Sequence, residues 1–246
     1  MSEIMCVIPA RYASTRFPGK MLAPLCGRPM IEHVIRRAVE SGVGEVLVAA
    51  DDEKVISAVR AAGFDAVMTR IDHQSGTDRI WEAVEKRDCN IIINVQGDEP
   101  LIPPSVIADL AKLMENHPEL PMATVAVAVP RSEMADPNKV KVVFDADFNA
   151  LYFSRSMVPC LRDGGQDTPV YLHWGIYAYR REALKRFVGL PGGRLENCEK
   201  LEQLRALENG IGIKVLVVEN LRSVGVDTPA DLAEAERRMK EMANGI

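Results

Sequence analysis

Three cations crowd into one short stretch, Arg11-Tyr12-Ala13-Ser14-Thr15-Arg16-Phe17-Pro18-Gly19-Lys20. A guanidinium grips phosphate oxygens through two donors at once, and an ammonium adds a compact point charge. Set on a loop with a flexible glycine, such a group suits the wrapping of a triphosphate. It is not the common phosphate loop, which needs Gly-x-x-x-x-Gly-Lys-Ser/Thr, because Met21 follows the lysine. Nor does Gly-x-Gly-x-x-Gly occur here, which argues against a dinucleotide-dependent dehydrogenase. The plain alternative for these residues is a solvated basic turn.

Acidic chemistry has two candidate positions. Gln96-Gly97-Asp98-Glu99-Pro100 follows the apolar run Ile91–Val95, and a carboxylate there can hold a hard divalent cation against phosphate oxygens. The alternative is an exposed turn ahead of a helix at Pro104. Asp227 follows Val224-Gly225-Val226; spacing leaves open whether it shares a metal with Asp98. His73-Gln74-Ser75-Gly76-Thr77-Asp78-Arg79 reads as a polar loop entering a helix capped by Ser75 or Thr77. His33 and His117 read as helix-face or loop residues without a role.

The elements that position these groups follow from hydrophobic pattern. Met5–Ala10, Glu45–Ala50 and Ile91–Val95 are mostly apolar runs rich in Val, Ile and Ala, as expected of strands buried on both faces. Between them Ile31, Val34, Ile35, Ala38 and Val39, and then Val55, Ile56 and Val59, recur at helical spacing. Alternating strands and helices predict a parallel α/β sheet, in which ligands collect at the carboxyl ends of the strands. Asp51 or Asp52 is expected to cap a helix reaching about Ala62, and Thr228-Pro229-Ala230-Asp231 to start the closing helix, which runs to about Met242.

From about Pro121 the texture changes. Met122–Val129, Val140–Phe144, Ala150–Phe153 and Tyr171–Tyr179 predict strands without long helices between them, hence a lobe at about 121–180 with antiparallel character. Helices at Arg181–Val188 and Leu195–Asn209 and a strand at Ile213–Val218 complete the reading. The whole of 1–246 is expected to form a single domain that includes this lobe.

Composition bounds the function. A chain of 246 residues with net charge -5 does not carry the basic excess of a nucleic-acid binder. No segment approaches the roughly 20 apolar residues that a membrane helix needs, and the opening residues do not read as a signal peptide. The five cysteines have an odd count and no paired spacing, so neither a zinc site nor a disulfide framework is expected, and a reduced cytoplasmic setting is.

Taken in order, several blocks resemble the 3-deoxy-manno-octulosonate (Kdo) cytidylyltransferases over essentially the whole chain. They are Ile8-Pro9-Ala10-Arg11 through Lys20, His73 through Arg79, Val95 through Pro100, Tyr152-Phe153-Ser154-Arg155, His173-x-Gly175-Ile176-Tyr177, Leu195-Glu196 through Arg205, and Gly225-Val226-Asp227-Thr228-Pro229. The resemblance implies a Rossmann-like nucleotidyltransferase fold, a mostly parallel central sheet flanked by helices with a smaller, partly antiparallel dimerisation lobe. It implies CTP bound by Arg11, Arg16 and Lys20 at the phosphates. Ala10, Ser75, Gly76 and Arg79 would hold the nucleoside, with Gln96 and Asp98 adjoining it. Asp98 and Asp227 would bind Mg2+, and Lys20 would join them as the catalytic set. Gln96, Arg155, His173, Tyr177, Glu202 and Gln203 would line the pocket of an acidic 3-deoxy sugar.

A cytoplasmic homodimer making CMP-Kdo for lipopolysaccharide is what the resemblance implies. Trp174 stands where that family commonly has leucine, Cys160 where an aromatic is common, and the Arg162–Val170 loop is short. Rival readings are a cytidylyltransferase for 8-amino-Kdo or sialic acid, a nucleotidyltransferase acting on a sugar 1-phosphate, a glycosyltransferase using Asp51-Asp52, and a nucleotide-binding protein without catalysis.

Overall fold

The computed structural model describes residues 4–13, 16–160, 169–219 and 225–243. Ser14, Val224 and nearly all of the 162–170 loop lie outside the described residues. The chain divides into two compact units, Met1–Ala111 with Arg222–Ile246, and Lys112–Leu221.

The first unit is built on parallel strands. β1 (Ile4–Ala10) lies between β6 (Ile91–Asn94) and β4 (Glu45–Ala50), and β5 (Asp65–Met68) pairs with β4 on its other side. All seven residues of β1 are buried, which explains its unbroken apolar run. Each large aliphatic side chain taken fully out of water contributes about 1.5–3 kcal/mol. Helices α1 (Met30–Glu40), α2 (Glu53–Ala61) and α3 (Gly76–Val84) pack on these strands. α1 buries Met30, Ile31, Val34, Ile35 and Ala38, while Val39, expected on that stripe, is 51% exposed near the helix end.

Two elements here escaped the sequence reading. β5 has a half-exposed, four-residue pattern, too short to register as a periodic signal. β2 (Pro24–Leu25) and β3 (Arg28–Pro29) form a small hairpin turned by Cys26 and Gly27, both at positive φ, the geometry of a tight two-residue turn. α8 (Pro229–Ala243) closes the unit and touches β2.

Along α4 (Pro104–Asn116) the chain passes into the second unit. There β7 (Met122–Val129) pairs in parallel with β11 (Lys214–Val218) and antiparallel with β10 (Val170–Arg180). β8 (Lys141–Phe144) pairs antiparallel with β10 and with β9 (Ala150–Ser154). The antiparallel character expected at 121–180 is therefore present, in a unit extending over 112–221.

α5 (Arg181–Val188) follows β10 directly. The single helix expected over Leu195–Asn209 is two, α6 (Arg194–Glu199) and α7 (Gln203–Glu208). Lys200 ends the first in a left-handed conformation at φ 54, which no continuing helix tolerates.

Candidate active site

The loop after β1 ends in a 3-10 turn at Lys20–Leu22, entered through Gly19 at φ 71. This turn carries the Lys20 side chain inward, leaving the residue only 7% exposed. Its Nζ donates to Asp98 Oδ2 at 2.7 Å, to the Val226 carbonyl at 3.0 Å and to Asp227 Oδ1 at 3.1 Å. Burial works against an ammonium, but Asp98 foremost, with Asp227, outweighs it and holds the Lys20 pKa above its ordinary value. Arg16 reaches the same Asp227 Oδ1 at 2.9 Å from a largely exposed position.

Backbone geometry fixes both carboxylates. A Cβ on Gly97 would lie 2.8 Å from the Pro9 carbonyl oxygen and 3.2 Å from Met21 Sδ, so the turn after β6 can lie against the end of β1 only with glycine there. The Val226 amide donates to the Asp98 carbonyl at 2.8 Å, tying the 225–227 segment to that turn. Asp231 Oδ2 then accepts from the amides of Asp227 and Thr228 and from the Thr228 hydroxyl. The cap expected of Thr228 and Asp231 thus also holds Asp227.

A cavity of about 370 Å³ opens over these groups, lined by Arg11, Arg16, Lys20, Gln96, Asp98 and Asp227 among others. That volume lies in the range of small-molecule sites. Arg11 makes no hydrogen bond or ion pair among the described residues, so its guanidinium is available to an anion. Gly76 forms part of the wall, its position for a Cβ only 3.4 Å from Pro9 Cγ. Ala10, fully buried, ends β1 below it.

The neighbouring predicted residues have specific partners. Ser75, not Thr77, caps α3 in a reciprocal box with Asp78. Arg79 is fully buried, donating to Thr69 Oγ1 at 2.5 Å and to Asp51 Oδ2 at 3.0 Å. Asp51 also accepts from the Tyr12 amide at 2.9 Å, so it fastens the start of the basic loop. Asp52 alone caps α2, through the Lys54 amide. Asp51 stands just past an apolar run, the placement that marked Asp98, and that signal was available in the sequence. Gln96 Nε2 donates to Asn94 Oδ1 at 3.1 Å.

Can the two acidic residues hold a metal ion? Among the described residues no three His, Cys, Asp or Glu converge as a closed ligand set. Asp98 and Asp227 do converge on one cation, the Lys20 ammonium. Hard oxygen donors from two carboxylates, with the rest left to phosphate or water, fit a small divalent ion that keeps part of its hydration.

Of the predicted sugar residues, Gln96 belongs to the first unit and the other five to the second. His173 and Tyr177 lie on β10 with ring centroids 5.4 Å apart, and Phe153 meets His173 edge-on at 4.9 Å. Burial pushes the His173 pKa down to about 3 and raises that of Tyr177 well above the ordinary phenol value. Gln203 is 5% exposed and its Nε2 finds no acceptor among the described residues. A buried donor left without a partner is what a ligand oxygen would satisfy. Glu202 Oε1 lies 3.9 Å from Arg205.

Arg155 is fastened on all sides, donating to the carbonyls of Glu199 at 2.7 Å, Pro137 at 3.1 Å and Lys200 at 3.4 Å. Two residues missed by sequence reasoning organise it. The Glu199 carboxylate accepts from Ser154 Oγ and the Arg155 amide, and the buried Lys141 Nζ donates to the Arg155 carbonyl at 2.5 Å. Glu199 ends α6 and Lys141 opens β8; neither follows the carboxyl end of a strand, so the placement rule had nothing to mark.

With this geometry in view, known proteins were compared. The family model described as cytidylyltransferase matches residues 5–216. A 3-deoxy-manno-octulosonate cytidylyltransferase of Syntrophus aciditrophicus (strain SB) is 50% identical over 239 residues, covering 95% of this chain and 96% of the relative. An 8-amino-3,8-dideoxy-manno-octulosonate cytidylyltransferase of Shewanella sp. (strain ANA-3) is also 50% identical, over 243 residues, 96% of this chain and 98% of the relative. Among solved structures, CMP:2-keto-3-deoxy-manno-octonic acid synthetase complexed with CTP superposes with a TM-score of 0.94 at 46% identity, over 98% of this chain and 100% of that one. The residues at the carboxyl ends of the parallel strands and these matches along almost the full length agree: the chain belongs to the cytidylyltransferase family.

Proposed function

We propose that this enzyme transfers CMP from CTP to the anomeric hydroxyl of 3-deoxy-D-manno-octulosonate, releasing pyrophosphate. The observation that carries the reading is the convergence of Lys20, Asp98 and Asp227 on one cavity that Arg11 and Arg16 also line, in a member of the cytidylyltransferase family.

The sugar's C2 oxygen attacks the α-phosphorus in line; a C2–O–P bond forms, the bond from Pα to the bridging oxygen breaks, and the hydroxyl proton passes to solvent. Sugar acid and nucleotide are both anions, and Arg11, Arg16 and Lys20 offset their repulsion. Gly76 on the cavity wall borders the nucleoside, with Ser75 capping the helix that starts there, Ala10 ending β1 beneath, and buried Arg79 holding Asp51, which fastens the start of the basic loop. Asp98 and Asp227 hold Mg2+, which supplies charge stabilisation at the phosphate oxygens when bound. Lys20 keeps the two carboxylates together and neutralised in the free protein. Catalysis is then chiefly positioning and electrostatics, with no covalent enzyme intermediate. The enzyme works as a cytoplasmic homodimer and supplies an activated sugar for lipopolysaccharide.

A second acceptor, 8-amino-Kdo, has a specific observation in its favour: a relative named for that sugar is as similar as the one named for Kdo. Pyrophosphate release with CTP and Mg2+, measured against Kdo, 8-amino-Kdo and sialic acid, tests the proposal. Turnover confined to CTP and greatest with Kdo is expected. Preference for 8-amino-Kdo moves the assignment to that sugar, and CTP binding without turnover on any acidic sugar overturns it.

A further inference from the structure

β10 departs from regular pairing at the histidine expected to read the sugar. Trp174 pairs with Val125 and Tyr177 with Thr124, so Gly175 and Ile176 are extra residues opposite one step of β7. Such a bulge leaves carbonyl groups without their ladder partners. Thr124, completely buried, fills the gap: its Oγ1 lies 2.8 Å from the Ile176 carbonyl, 3.3 Å from the Trp174 carbonyl and 3.0 Å from His173 Nε2.

A hydroxyl has one proton to donate. Two of the three neighbours are carbonyls, which only accept, and the Ile176 oxygen is the nearest. The Thr124 proton therefore goes to a carbonyl, and a lone pair of the hydroxyl faces His173. Stability of that contact requires a proton on Nε2. Because burial holds the imidazole neutral at physiological pH, the other nitrogen then carries none. Nδ1 has no partner among the described residues.

We infer that Thr124 is a positioning residue that locks His173 as its Nε2–H tautomer, presenting Nδ1 as an acceptor that reads a hydroxyl or ammonium of the sugar. The sugar carboxylate, itself only an acceptor, is thereby excluded from His173. The reading of the sugar rests on the proposed reaction and on the sugar pocket that the family resemblance implies; the tautomer itself does not.

The test is long-range 1H–15N correlation on the full chain labelled with 15N-histidine, with the His173→Gln spectrum identifying the His173 signals. Wild type and Thr124→Ser are expected to show an unprotonated Nδ1 that moves upfield on saturation with Kdo. Thr124→Val is expected to introduce the Nδ1–H form and to raise KM for the sugar about 10-fold or more, with KM for CTP unchanged. An Nδ1–H or doubly protonated His173 in the neutral wild type overturns the inference, as does an Nδ1 signal that Kdo does not move in an active enzyme. If Thr124→Val fails to fold, the wild-type and Thr124→Ser spectra still decide. Absence of pyrophosphate release by the wild type, with the Nε2–H tautomer present, would defeat the proposed function and not the tautomer.

Discussion

Asp98 and Asp227 bind the same ammonium, Lys20 Nζ, at 2.7 and 3.1 Å. Two carboxylates from distant parts of the sequence are thus held within reach of one positive charge. A divalent ion held there, as proposed, would polarise phosphate oxygens and lower the barrier by several kcal/mol. Asp98→Asn should cut the rate of pyrophosphate release by about 10³-fold, with an unaltered circular dichroism spectrum. Near-normal turnover of that variant at saturating Mg2+ would remove Asp98 from the proposed metal site.

The Gly97 contact makes a prediction about stability. Gly97→Ala sets a methyl group 2.8 Å from the Pro9 carbonyl oxygen, which is backbone and cannot swing aside. A loss of about 1–3 kcal/mol is expected from overpacking, read by urea denaturation. Gly76→Ala meets Pro9 side-chain carbons at 3.4 Å and beyond and should fold with nearly wild-type stability. Equal losses in the two variants would contradict the contact.

Stability should also respond to acid through His173. Its folded pKa is lowered to about 3, below the roughly 6.5 of a free imidazole, so the unfolded chain binds the extra proton between those values. Stability is therefore complete above about pH 6.5 and falls as pH drops toward 3, by about 1.4 kcal/mol per unit at most from this group. Tyr177, its ring neighbour, is uncharged throughout that range. His173→Gln should flatten the fall between pH 6.5 and 5 in denaturant titrations; an unchanged slope would show that the imidazole is not buried neutral.

Thiol reactivity follows from burial. Cys26, Cys160 and Cys198 are exposed, whereas Cys6 and Cys89 are buried, and burial pushes the Cys6 thiol up to about 12. Reaction of the native protein with an aromatic disulfide reagent should release three equivalents quickly and the remaining two only on denaturation. Five fast equivalents would mean that β1 is not where the structure has it.

Fold class and site were legible to different depths. β1, β4 and β6 announced themselves because they are largely buried and read as mostly apolar runs, and Asp98 and the basic loop that ends at Lys20 could be marked as following such runs, with Asp227 after a shorter apolar stretch. What could not be read was partnership. Asp51 passes for a helix cap until Arg79 and Tyr12 are seen against it. Thr124 is one more β-former in Met122–Val129 until the bulge opposite turns its hydroxyl into a hub. Lys200 interrupts a helix pattern through backbone conformation alone. Each depends on a residue far away or on a torsion angle, neither of which periodicity records.

The bond from Lys20 to Asp227 joins residues 207 positions apart, with the entire second unit threaded between them. Contacts of such separation form late, after the intervening chain has collapsed. On the ribosome, the nascent polypeptide displays its basic loop and Asp98 long before the second acid is translated. Premature termination anywhere in the second unit consequently yields a product lacking half of the carboxylate pair, its Lys20 ammonium left with Asp98 alone however well its early strands have folded.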